Sequence, residues 1–297
     1  MTPAALALVL FAAVLHATWN YWAKRAGGGL PFVYLTGLMI NLGYIPVIAA
    51  YWLWKHPVLP PLALLAIAGS GVLKTGYSLF LQRGYRTGDF SLIYPLARGT
   101  GPLLSALGAL VVFHERPTAL ALAGGLLIVV SIFWLAGGYQ WLRAALLRPA
   151  EPGERGVVSR AATYGLITGV FIAGYTLWDK RGVAQLMIAP VLFDAGTAFT
   201  QLLLLAPFAW KRRDEVRREW REHRFNAFVM ATLSPVSYIL VLTAMSFTPV
   251  SYIAPAREVS ILIGMVFGAR FLKEAEARRR LWAGTGMVAG LVMLAAG

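Results

Sequence analysis

The sequence predicts an all-α polytopic membrane protein with ten transmembrane helices arranged as two inverted five-helix repeats. Three observations predict it. The 297-residue chain is 58% hydrophobic and 13% charged, where a soluble protein carries about 25% charged residues. Ten apolar runs are each close to the roughly 20 residues that span a bilayer as a helix. The order of motifs in the first half of the chain returns in the second.

The expected spans are 3–24, 31–54, 60–83, 89–113, 117–137, 160–180, 187–210, 225–247, 250–272 and 279–296. Short connections rich in Pro, Gly or charge separate most of them. The first run lacks a basic leader and is too long for a signal peptide. Two connections are longer. Residues 138–159 ("GYQWLRAALLRPAEPGERGVVS") divide the chain into two groups of five helices. Residues 211–224 ("KRRDEVRREWREHR") form a basic, partly helical loop. The formal net charge of +14 sits mostly between apolar runs. It therefore reads as membrane topology and not as nucleic-acid binding. With no cysteine, disulfides and thiolate metal sites are excluded.

The repeat is carried by several echoes in one order. "PLARG" at Arg98 returns as "APARE" at Arg257, and a glutamate follows 17 residues after each arginine, at Glu115 and Glu274. "SLIYP" (Ser91–Pro95) answers "SYIAP" (Ser251–Pro255). "WAKR" (Trp22–Arg25) answers "WDKR" (Trp178–Arg181), and Gly124 answers Gly284. The offsets run from 156 to 160 residues. The boundaries follow: a first repeat at 1–138, a linker at 139–159 and a second repeat at 160–297. An odd number of helices per repeat inverts one repeat against the other. Inverted repeats are a transporter signature, with substrate bound near the midplane. About 20 Lys and Arg residues fall on one side in the short loops and about 4 on the other. The positive-inside rule then places both termini outside the cytoplasm.

The run "IYPLARGTGPLLSALGALVVFHERPTALALAGGLLIV", its echo "YIAPAREVSILIGMVFGARFLKE" and the first-helix run "HATWNYWAKRAG" resemble the EamA type of the drug/metabolite transporter superfamily. The resemblance covers nearly the whole chain. It implies a multi-pass protein of a plasma (bacterial inner) membrane, without cofactor or enzymatic activity, often an exporter of amino acids or other small metabolites. It also implies that helices 1, 3, 4, 6, 8 and 9 line a cavity while 5 and 10 pack outside. Many family members have cytoplasmic termini, against the charge count here. Ala254 also stands where the first repeat has Tyr94.

Charges inside a bilayer cost at least about 2.5–3.5 kcal/mol and mark pathways or pairs. Five are expected well inside the spans: Lys74, Arg98, Asp194, Arg257 and Glu258. Their net positive sum favours a substrate with a carboxylate or phosphate. Arg98, with Tyr94 one turn before it, offers a planar fork for a carboxylate. The alternative is a structural pair, Arg98 with Glu258. Pro95, Gly99 and Gly101 are expected to loosen the helix here. Adjacent positions on a helix diverge by about 100°, so Arg257 and Glu258 are expected to face different ways. Lys74, with Tyr77 and Ser78, marks a polar face of helix 3; its repeat counterpart lies around Ser234, near Ser237 and Tyr238.

Asp194, Thr197 and Gln201 form a stripe on helix 7, either cavity lining or a packing seam. Tyr34, Asn41 and Tyr44 on helix 2 read as packing. His16, Trp19 and Asn20 on helix 1, and Tyr175 and Trp178 on helix 6, complete the candidate binding set. Trp22 and Trp178 also suit interface anchors. His16, Asp194 and Glu258 are the candidates for proton coupling. The small residues of helices 5 and 10 suit close packing within one chain, or a homodimer contact.

The expected partners are a small-molecule substrate and the lipid bilayer, with no nucleic acid. The function expected is secondary export of a small polar metabolite, such as an amino acid or organic anion, by alternating access. The alternative is a flippase for a lipid-linked substrate. An intramembrane enzyme is disfavoured, because "HERPT" breaks the zinc-protease pattern and no nucleophile elbow is present.

Overall fold

The computed structural model describes residues 1–26, 29–87, 90–135, 152–264 and 277–297, without the side chains at 85–87, 90–92, 94–95, 152–161 and 277–280. Among the described residues there are ten α-helices and no strands. They are α1 (Pro3–Arg25), α2 (Leu30–Lys55), α3 (Pro61–Thr87), α4 (Phe90–Val112), α5 (Ala119–Leu135), α6 (Pro152–Lys180), α7 (Pro190–Trp210), α8 (Arg213–Phe247), α9 (Val250–Arg257) and α10 (Ala277–Ala296). The prediction of ten helices, five on either side of a divide, stands.

Among the described residues, five helical stretches are long and apolar enough to cross a membrane: Pro3–Arg25, Leu30–Lys55, Pro61–Gly84, Pro190–Trp210 and Arg213–Phe247. Leu96–Val112, Ala119–Leu135 and Leu281–Ala296 are shorter apolar helices. Leu42, Ile45, Leu65, Val111, Phe199 and Val292 lie on the outside of their helices, well exposed. Apolar surface of this kind is stable against lipid tails and costly in water.

The helix ends follow their local chemistry. Pro31 sits in the first turn of α2, after Gly29 at φ 109. At the other end His56 adopts the left-handed conformation and its N–H bonds the Trp52 carbonyl. Asp214 and Glu215 occupy the first turn of α8, where a negative charge complements the helix dipole. The basic segment read as a loop is therefore mostly helix; α8 runs from Arg213 to Phe247 with one kink at His223 (φ −128, ψ 19). α4 stays helical through Pro95, Gly99 and Gly101, so these residues do not break it.

The chain divides into two compact units, each drawing on both halves of the sequence. One holds 1–6, 76–177 and 248–297; the other holds 7–75 and 178–247. In the first, α5 packs along α10 with their backbones in direct approach. A Cβ on Gly124 would lie 2.6 Å from the Gly290 carbonyl, and one on Gly290 would lie 2.6 Å from the Gly124 carbonyl. Glycine is required at both places because only it lets two helix backbones meet so closely.

The same unit has a helix cap supplied from a distant segment. The Glu115 carboxylate, in the loop after α4, accepts the N–H groups of Val250 (2.7 Å) and Ser251 (2.9 Å) at the start of α9. These are donors that a helix cannot satisfy itself. Glu115→Ala is expected to lower stability by about 1–2 kcal/mol, the usual cost of losing a cap. A thermal melt of the purified variant checks this, and Glu115→Asp should recover part of the loss.

Candidate functional site

In the unit built from 7–75 and 178–247, the charged residues converge on Asp179. α3 presents Ser70 and Lys74 one turn apart, on one face. Ser70 Oγ donates to Asp179 Oδ1 at 2.5 Å. Lys74 Nζ lies 3.1 Å from Asp179 Oδ2, and the hydroxyl of Tyr238 on α8 donates to the same oxygen at 2.6 Å. Lys74 Nζ also sits 4.1 Å from the centroid of the Tyr238 ring. Asp179 is fully buried, while Lys74 keeps 13% of its side chain exposed. Lys74 and Tyr238, both expected in the site, thus meet on a carboxylate that the sequence reading did not select.

The local fold explains that omission. "WDKR" reads as the end of a helix at the membrane interface. Instead, α6 continues past Lys180 into a π-helical turn, Arg181–Gln185. Such turns often occur at functional sites. Trp178 donates its indole N–H to the Ala66 carbonyl at 2.7 Å. Its ring lies against Gly69, where a Cβ would come within 2.7 Å. This contact brings α6 close to α3. Lys180 donates from Nζ to the Met245 carbonyl at 2.6 Å, so Asp179 alone of the pair serves Lys74. The repeat counterpart of Asp179 in "WAKR" is Ala23; an acid inside an otherwise matching motif was the available signal.

A second carboxylate lies in the same unit. Asp194 accepts the hydroxyl of Tyr44 at 2.5 Å, and both are buried. Asp194 is within electrostatic range of Lys74 and Asp179. Gln201, on the same stripe, donates to the Lys74 carbonyl at 3.3 Å, and Asn41 donates to the Ala198 carbonyl at 3.3 Å. The helix 2 stripe thus includes the hydrogen-bond partner of Asp194 as well as packing residues. On α1, the rings of His16 and Trp19 meet edge to face at 4.7 Å. Asn20 is exposed and donates to the His16 carbonyl at 2.8 Å. Trp22 presents its carbonyl to Asn226 at 2.9 Å and its ring to Phe225.

The other unit gathers Arg98, Arg257 and Glu258. Glu258 Oε2 lies 3.4 Å from Arg98 Nε, and Glu258 Oε1 lies 3.7 Å from Arg257 Nε. The glutamate is 1% exposed and Arg98 16%. This corrects the expectation that Arg257 and Glu258 diverge. α9 ends at Arg257, Glu258 is a turn residue at φ −71, ψ −9, and helix resumes at 259–264. The two neighbours are therefore not on one regular helix, and the 100° rule does not apply to them. Pro255 sits against Gly125 of α5, just before the turn.

Tyr77 and Tyr175 meet edge to face at 5.8 Å in this unit, next to the stacked rings of Phe80 and Phe171 at 5.3 Å. The side chain of Tyr94 lies outside the described residues.

Asp179 also changes the interior charge. Among the described residues it adds a third buried carboxylate to Asp194 and Glu258, one that the sequence count of interior charges left out. Among the described residues no group of His, Asp or Glu could hold a metal ion.

No curated protein matches the chain. Among solved structures, one described only as "Crystal structure of protein" matches with a TM-score of 0.73 at 16% identity, covering 98% of each chain. At that identity the likeness shows the fold. The model of the EamA-like transporter family matches residues 3–137 and again 159–296, once in each half. With the repeated motifs, ten helices and charged pairs inside apolar helices, that double match shows that this chain is a multi-pass membrane protein of the EamA-like transporter family.

Proposed function

We propose that the protein is a secondary transporter that exports a small polar metabolite across a bacterial inner membrane by alternating access. Both substrates expected from sequence, an amino acid and an organic anion, carry a carboxylate that an arginine can receive. No nucleotide-binding sequence is present, so the driving force is an ion gradient or the substrate's own gradient.

The observation that carries this reading is the arrangement around Glu258. Its carboxylate is held by two cations, Arg98 and Arg257. Arg98 can therefore turn to a substrate carboxylate while Arg257 still neutralises Glu258. The guanidinium fork suits bidentate contact with such a group.

Arg98→Ala tests the reading. The variant is expected to fold, because Glu258 keeps Arg257, and to lose at least tenfold in affinity for a carboxylate-bearing substrate. A charge-assisted hydrogen bond of about 1.5–3 kcal/mol sets that size. The measurement is paired: a thermal melt, and uptake of labelled neutral amino acids into proteoliposomes under an imposed pH gradient. A stable variant that transports normally would remove Arg98 from the site. Uptake of a labelled lipid-linked sugar, with no soluble solute moved by the wild type, would favour the flippase alternative.

A further inference from the structure

We propose that the surroundings of Asp179 form a binding site for a primary ammonium group, which the protein fills with its own Lys74 until a ligand ammonium displaces it. For its biological use this rests on the transporter reading; the site itself is a matter of binding.

The surroundings have the composition an ammonium requires. A carboxylate oxygen, Asp179 Oδ2, receives Lys74 Nζ at 3.1 Å. An aromatic face, that of Tyr238, lies 4.1 Å from the same nitrogen. Cations are attracted to such a face by the ring quadrupole. Two hydroxyls, of Ser70 and Tyr238, donate to the carboxylate and hold its orientation whichever ammonium occupies it. A second buried carboxyl group, Asp194, lies in the same unit and accepts the Tyr44 hydroxyl.

The geometry favours exchange. Asp179 is closed off from solvent, but Lys74 is 13% exposed, so the ammonium is on the accessible side of the pair. A lysine ammonium rides on a flexible four-carbon stem and can swing aside without moving the helix. A bare buried carboxylate is costly, and an incoming ammonium avoids it by taking the place that Lys74 leaves. The displaced Lys74 is then available to an anionic group on the same ligand. Asp179 lies on α6, two residues before the π-helical turn Arg181–Gln185. The first repeat has Ala23 at the matching position, so the repeat does not supply an equivalent carboxylate there. A primary ammonium offers three N–H donors; a quaternary ammonium offers none and cannot make the contact to Oδ2.

The test removes the resident amine and supplies one from solution. Purified Lys74→Ala should melt below the wild type. n-Butylammonium chloride should raise its Tm saturably, and tetramethylammonium chloride at equal ionic strength should not. The double variant Lys74→Ala, Asp179→Asn should not respond to either salt. Equal responses to the two salts, or an unchanged response in the double variant, would overturn the proposal. If Lys74→Ala does not survive extraction, n-butylammonium in the extraction buffer should recover folded protein, and failure to recover it overturns the proposal equally. A protein that passes this test yet moves no solute in proteoliposomes keeps its ammonium site, and only the transporter reading fails.

Discussion

Asp179→Ala is expected to leave little folded protein. The substitution takes away the carboxylate that lies 3.1 Å from the Lys74 ammonium, in a largely buried place. Breaking one partner of a buried pair costs about 3–5 kcal/mol. The hydroxyls of Ser70 and Tyr238 lose their acceptor as well, at about 1 kcal/mol each. Against a typical total stability of about 5–15 kcal/mol, such a loss is large. Size-exclusion yield and Tm in detergent measure it. Removing both charges with apolar groups of similar size leaves no such ammonium behind. The double variant Lys74→Met, Asp179→Leu should therefore regain most of the yield while losing any amine response. An Asp179→Ala protein as stable as the wild type would mean that the pair contributes nothing to the folded state.

Glu258→Ala is expected to be nearly as damaging, and more so than Arg98→Ala. Glu258 is the shared partner of two arginines and is 1% exposed. Without it, Arg98 and Arg257 remain as two cations with their common anion gone, a loss of about 3–5 kcal/mol. Without Arg98, by contrast, the glutamate keeps one cation. A melt series on Glu258→Ala, Arg98→Ala and the double variant checks the order. The double variant should be more stable than Glu258→Ala alone, because it removes one of the two cations that lose Glu258. If instead Arg98→Ala is the least stable of the three, Arg98 is a structural residue and its proposed exchange with substrate falls.

These residues also show how far the sequence could be read. Arg98 and Glu258 stand out because a charge in an apolar run is expensive wherever that run ends up. Asp179 did not stand out. It precedes Lys180 and Arg181 at what looks like a helix end, yet it is fully buried, and a π-helical turn follows where an end was expected. Tyr44 looked like a packing residue because an aromatic phenol suits either role; its use as a donor depends on Asp194, which is 150 residues away. Glu115 was visible as a repeated feature, but its work as a cap for α9 required knowing what lay opposite.

The sequence by itself determined the class of protein, the order of its helices and the two-fold repeat in that order. It could do so because a helix in lipid must satisfy its own backbone hydrogen bonds, so each span is decided locally by length and polarity. Only the tertiary structure decided the partners: Asp179 for Lys74, Tyr44 for Asp194, and Glu258 shared by two arginines. Pairing depends on which helices adjoin and, for Glu258, on the turn after α9. Neither leaves a periodic trace in the chain.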